Sequence, residues 1–370
     1  VVKLTAIVFS LLSINIFAHE TRLETNFSPK NFGASVGINK EANSILVWDD
    51  NKGAVVYLLE DRKWKLQDYY LSPDSSSNSW KGHQYMDVNG NYVAFTSYPN
   101  KEIYIYKWNS NTSLWELTKV YEHNYSNKPQ IQLTDNGILA IQDINSELID
   151  IYDTEFSRLK YQIKVDGTKL DGAIDIANSV LVAATKNDGP THVFRDNQKE
   201  AELPSSYQVS IDNESELIAI RPKEKHEINI YSYDKSNLEN GGWHKTSTIV
   251  SPNNSSTFGL RNIYLNNSKL YVYDDANLDG EYGNTNKHGI IYEYFYSNAG
   301  WEQSKSIIPA NFDRNISFGA STKIENNILV AGDSEAHKSN ITSSKHGAAY
   351  AFDLNEISEV DLTLEVEYPM

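Results

Sequence analysis

One stretch of the chain has the spacing of an ion-binding loop. Asp275-Ala276-Asn277-Leu278-Asp279-Gly280 sets oxygen-bearing side chains at alternate positions and a glycine at the sixth. That pattern lets a short loop wrap a hard cation such as Ca2+, the glycine taking the sharp turn. The ninth position is Gly283 and the twelfth is Asn286, so the late carboxylate of a full loop is missing. Asp275, Asn277 and Asp279 are therefore the candidate ligands of a weak calcium site; the bland alternative is a polar surface turn. Lys287-His288-Gly289 and Lys345-His346-Gly347 recur at one repeat position. Neither histidine has a second ligand at a suitable local spacing, so both read as turn features. No Gly-x-Ser-x-Gly, His-Glu-x-x-His or phosphate-cradling glycine loop occurs, and no residue is assigned a catalytic role. Carboxylates are plentiful, so a glycosidase or lyase using a pair from separate loops stands as the alternative function.

The elements that must position these loops follow a repeat. Phe32-Gly33-Ala34-Ser35 near the start returns as Phe318-Gly319-Ala320-Ser321 near the end. Short apolar runs occupy 45–48, 92–95, 138–141, 181–184, 217–220, 270–273 and 328–331. Their spacing of about 36 to 58 residues is near the period of propeller blades. Taking these seven runs as strand b of a four-stranded unit, strand c follows each with apolar–polar alternation, as in Ile103-Tyr104-Ile105-Tyr106. Strand d opens on a tryptophan in four units, at Trp64, Trp115, Trp243 and Trp301. A tryptophan recurring at one position reads as packing. Strand a precedes b by a tight turn, as in Asn89-Gly90 and Asn136-Gly137. No stretch beyond the N-terminus has sustained helical periodicity.

The expectation is an all-β, seven-bladed β-propeller of four-stranded blades, its ring closed by a terminal strand. Blades fall near 32–70, 80–120, 129–165, 170–203, 206–250, 258–308 and 317–370, making 19–370 one domain. The missing strand of the last blade is expected from 20–27, with 360–367 as the other choice. Joining the two ends protects strand edges and makes the array one cooperative unit.

The Phe-Gly-Ala-Ser starts, Phe258-Gly259 and the Gly-x-x-Tyr openings of the later c strands resemble FG-GAP repeats. These build the seven-bladed propeller of integrin α chains and of many exported bacterial proteins. The motif is clear in blades one, six and seven. The Gly-Ala-Pro triplet usual after strand b is absent, and Val330-Ala331-Gly332-Asp333 comes nearest. FG-GAP calcium loops lie between strands a and b, whereas the loop at Asp275 follows b. The resemblance implies the fold and an extracellular binding or scaffold role.

Composition narrows the partners. Of 370 residues, 40% are hydrophobic, enough for a sizeable core. The net charge of −16 argues against nucleic acid and against an anionic membrane surface. With no cysteine, the fold must hold without disulfides. Residues 1–18 read as a secretory signal, with Lys3 before an apolar run and cleavage expected at Ala18–His19. The mature protein is expected to be secreted, periplasmic or on the cell surface, monomeric, and not inserted in a membrane. The favoured function is non-catalytic binding of a protein or glycan on the face carrying the b–c and d–a loops. Long loops there gather Trp48, Asp49, Trp80, His83, Tyr282 and His337, aromatics beside polar groups that suit a sugar or a peptide.

Overall fold

The computed structural model describes residues 18–72, 86–97, 101–123, 125, 129–143, 146–155, 158–165, 169–236, 239–266, 268–276, 288–309, 317–336 and 347–357. These form seven antiparallel sheets of four strands each, arranged as a β-propeller. From the axis outward the strands are named a to d. All seven apolar runs are b strands: Ser44–Asp49, Tyr92–Ser97, Ile138–Gln142, Val180–Thr185, Leu217–Pro222, Lys269–Ala276 and Ile328–Asp333. Their continuous apolar character has a simple cause. Successive side chains point to opposite sheet faces, and both faces are buried between blades. In blade one, Leu46 and Trp48 pack against blade two, while Ile45 and Val47 pack against blade seven. One hydrophobic cluster of this kind fills each junction between neighbouring blades.

The four tryptophans belong to this packing. Each sits at the first or second position of a d strand and joins the cluster shared with the preceding blade. Two are also tied down by the indole N–H. Trp115 donates to Ser44 Oγ at 2.9 Å and Trp243 to Glu200 Oε2 at 3.0 Å.

The Phe-Gly starts have a common geometry. Gly33, Gly259 and Gly319 donate their N–H to the carbonyls of Trp48, Tyr273 and Gly332. Each acceptor directly precedes a fully buried aspartate: Asp49, Asp274 and Asp333. The phenylalanine carries the blade's own c strand, with Phe258 against Tyr292 (6.1 Å between centroids) and Phe318 against Tyr350 (5.6 Å). Glycine is needed where blades meet. Gly33 has a φ of +86°, and a Cβ there would lie 2.1 Å from the Ala348 oxygen. Gly347, opening strand c of blade seven, forms a parallel bridge with Phe32; a Cβ would lie 2.0 Å from the Phe32 oxygen. The paired motifs are two halves of one close backbone approach.

The ring closes through the N-terminal segment. Ala18–Arg22 adds the outer strand of blade seven, pairing antiparallel with Ala348–Ile357. Glu20 stands opposite Phe352 and Arg22 opposite Tyr350. The strand begins and ends earlier than the expected 20–27; just past its end, Leu23 still donates its N–H to the Ala349 oxygen at 2.9 Å and turns its side chain into the core between blades seven and one.

Candidate functional site: the polar ring and its vestibule

The a strands, Val36–Ile38, Met86–Asn89, Gln130–Leu133, Leu170–Ala177, Ser206–Ile211, Ile263–Asn266 and Ser321–Glu325, line the axis. One residue from each occupies the same rung: Gly37, Asp87, Gln132, Asp175, Ser210, Tyr264 and Lys323, opposite Leu46, Ala94, Ala140, Val182, Ala219, Tyr271 and Val330. An inner strand has no neighbour on its axial side, so its N–H groups need acceptors from elsewhere. The ring supplies them from blade to blade. Asp87 Oδ2 accepts the N–H of Leu133 at 2.6 Å, Asp175 Oδ2 that of Ile211 at 2.9 Å, and Ser210 Oγ that of Leu265 at 3.0 Å.

Charge is arranged on the same rung. Gly37 has no side chain, and Lys323 of blade seven pairs past it with Asp87 of blade two, Nζ to Oδ1 2.7 Å. The Lys323 ammonium also lies 5.3 Å from the centre of the Tyr264 ring. Burial lowers the lysine's pKa, but the charge of Asp87, Tyr264 and Asp175 outweighs it, so Lys323 is held above the ordinary lysine range. Asp175 is pushed up to about 6 by burial, against the opposing pull of Lys323 and two backbone N–H groups. Burial likewise pushes the Tyr264 hydroxyl up to about 12.

A cavity of about 400 Å³ stands over this ring. Asp87, Asp175, Tyr264 and Lys323 form its floor; Ser35, Gln130, Gln208 and Ser321 form its wall. Tyr207 and Arg261, at the beginnings of their a strands or just before, form a rim on the side of the d–a and b–c connections. The polar side chains of the lining are mostly amide and hydroxyl, which can donate and accept toward a polar ligand.

Of the residues singled out from the sequence, Trp48, Asp49 and Asp275 are described, and they lie within the blades. Trp48 and Asp49 are both 0% exposed. The Trp48 indole packs at 5.8 Å from Phe95 and donates to Asp50 Oδ1 at 3.3 Å. Asp49 accepts the backbone N–H groups of Lys30, Asn51 and Lys52 at 2.7, 2.8 and 3.0 Å, and burial raises its pKa. The two residues build the loop from within; neither offers it a surface. Trp80, His83, Tyr282 and His337 lie outside the described residues, as do Asn277 and Asp279. Asp275 is in strand b of blade six, where its carboxylate accepts the Tyr273 hydroxyl and its N–H donates to Thr257 Oγ1 at 3.1 Å. Among the described residues, no group of three or more His, Asp or Glu is placed to hold a metal.

The sequence reading missed the ring. Its signal was there: a polar residue directly before the apolar Val88, Leu133, Ile176, Leu265 or Ile324, four to six positions before the b run.

Among solved structures the chain is similar to U3-55K, with a TM-score of 0.57, 10% identity, and coverage of 90% of this chain and 98% of that one. It is similar to the WD40 repeats of RRP9, with a TM-score of 0.57, 9% identity, and 91% and 98% covered. A chain of a mitotic checkpoint complex gives 0.57 and 10% identity over 95% and 96%. The likeness is one of fold. No protein-family model and no curated protein matches the chain.

Proposed function

We propose that this chain is an exported, non-catalytic β-propeller of FG-GAP-like type that holds a protein partner on its d–a and b–c face. The observation that carries this reading is the vestibule above the ring: a polar recess on a rigid scaffold, at the hub of that face. Its two carboxylates are already engaged. Asp87 takes Lys323 and a backbone N–H, and Asp175 takes the N–H groups of Ile176 and Ile211 and the Ser210 hydroxyl. A glycosidase needs one free carboxylic acid and one free carboxylate across the bond it cleaves. The mitotic checkpoint complex chain, similar in fold, is part of an assembly, in keeping with a protein partner. The recurrent Phe-Gly geometry of blades one, six and seven supports the FG-GAP-like reading. Export rests on the signal-like residues 1–18; cleavage at Ala18–His19 would leave His19 to Arg22 on the ring-closing strand.

The test is a panel of polysaccharides and aryl glycosides with the purified full chain and its Asp87→Asn and Asp175→Asn variants. The expected result is no turnover by any of the three. Turnover that either substitution abolishes would overturn the proposal in favour of a carbohydrate-active enzyme. N-terminal sequencing of protein recovered outside the cell tests export, with His19 as the expected first residue.

A further inference from the structure

Blade five carries a buried positive charge beside the vestibule. Arg221 is 2% exposed, yet its guanidinium meets only neutral groups. Nε donates to the Phe258 oxygen at 3.2 Å, Nη1 to the Pro222 oxygen at 2.7 Å, and Nη2 to the Ser256 oxygen at 2.9 Å and to His226 Nδ1 at 3.1 Å. A buried charge normally has a counter-charge. Here the guanidinium lies 5.3 Å from the centre of the Tyr207 ring, and the Lys223 ammonium lies 5.9 Å from the same ring. Tyr207 is 44% exposed and forms part of the vestibule rim. Across the junction to blade six, Gln208 donates to the Leu260 oxygen at 3.3 Å, which brings exposed Arg261 to the same rim. Among the described residues neither Arg221 nor Arg261 is in an ion pair. Lys223 donates to the Thr185 oxygen at 3.1 Å and has Asp188 at 3.6 Å; the Asp188 side chain is 83% exposed and readily displaced, and an ammonium has three N–H donors to share.

In a chain of net charge −16, this rim is locally cationic around an exposed aromatic plate. We infer that the Tyr207–Lys223–Arg261 rim, backed by Arg221, is the recognition site for an acidic peptide segment of the protein partner. Carboxylates spaced along an extended chain would meet Lys223 and Arg261 on separate blades, with an apolar or aromatic side chain over Tyr207. The amides of Gln130 and Gln208 can pair with main-chain groups of the same segment. The inference rests on the protein-binding reading and adds its charge selectivity.

The experiment is fluorescence anisotropy with the full chain and three labelled probes. These are a peptide of alternating glutamate and tyrosine, its glutamine counterpart, and a short oligogalacturonate. The acidic peptide should bind on the order of tenfold more tightly than the glutamine peptide, and less so at high salt. The double variant Lys223→Gln/Arg261→Gln should lose that preference with an unchanged melting temperature. Arg221 is left alone because its bonds hold the loop before blade six. No binding of the acidic peptide, or equal binding of both peptides, overturns the inference. Tighter binding of the galacturonate overturns it in favour of an acidic glycan. If the glutamine peptide binds equally and survives the rim substitutions, charge selectivity fails while the binding face stands.

Discussion

At the scale of single residues, the buried aspartates near the ends of the b strands of blades one, six and seven are the most informative: Asp49 and Asp333 are last in their strands, and Asp274 stands two residues before the end of its own. Asp274 accepts the hydroxyls of Ser255 and Thr257, at 2.5 and 2.6 Å, on one oxygen; Asp333 accepts that of Ser317 at 2.6 Å on one oxygen. The other carboxylate oxygen of each is buried without a partner among the described residues. Burial raises Asp274, and pushes Asp333 up to about 6. The folded value lies above the unfolded one, so ionisation opposes folding. The penalty is full above about pH 6 and fades as the pH falls toward about 4. Asp333→Asn should therefore be at least as stable as the parent at pH 7 and lose the parent's gain on acidification, up to about 3 kcal/mol. Denaturant titrations at pH 7 and pH 5 check this; parallel changes in the two proteins would sink it. Gly347→Ala should cost at least about 2 kcal/mol, since the new methyl meets backbone and φ is +79°. An unchanged unfolding midpoint would mean that the blade junction yields. The site was less legible than the fold at this scale. Trp48 and Asp49 stood out as an aromatic beside a carboxylate, but type alone does not tell a loop's scaffold from its surface. The ring was hidden for a different reason. Asp87, Asp175 and Lys323 acquire meaning only when seven short strands are set on one rung.

At the scale of elements, the inner strands have no strand beyond them, and the ring residues take that strand's place. Asp87→Ala would remove the acceptor of the Leu133 N–H and leave Lys323 without its closest counter-charge. The expected loss is about 3–5 kcal/mol. The double variant Asp87→Ala/Lys323→Met should recover part of it, because a neutral side chain needs no partner. Guanidinium titrations of the three proteins give the coupling; a single variant within about 0.5 kcal/mol of the parent would show that the pair is idle. The loop after strand b of blade six carries the calcium expectation. If Asp275, Asn277 and Asp279 coordinate a calcium ion, millimolar calcium should raise the melting temperature, with an affinity of about 10⁻⁴ to 10⁻³ M. An equal rise in Asp279→Ala would return that loop to a polar turn. The elements themselves were largely readable. Every b strand carries an uninterrupted apolar run because both of its faces are covered. Turns were readable where glycine marked them, as at Gly90 and Gly137. The a–b turn of blade four was missed. It uses Asn178, with a φ of +49°, in an Ala-Asn-Ser sequence without glycine. The d strands of blades three and four, Arg158–Lys164 and Gln198–Leu203, lack the tryptophan and carried no comparable signal.

At the scale of the whole molecule, seven outer strands face outward with an open edge. Lysines punctuate them, at Lys65, Lys119, Lys160, Lys199, Lys245 and Lys305, where a charged side chain discourages pairing with another chain. The seventh outer strand, Ala18–Arg22, covers Ala348–Ile357. Deleting residues 18–22 should leave a long edge bare, reduce the denaturant dependence of unfolding and promote self-association. Light scattering and the slope of the unfolding curve test this; a variant as monodisperse and cooperative as the parent would contradict it. That strand also has a consequence in time. Its partners lie more than three hundred positions further along the chain. The first segment of the propeller to be synthesised is thus among the last to find its place, and the ring stays open until residues near 357 have emerged. A ribosome can finish six blades while the seventh waits. If the chain is exported as proposed, threaded unfolded through a membrane pore, that delay would work as a timer. The final latch cannot close on the near side while the far end is still being made, and it snaps shut where both ends arrive.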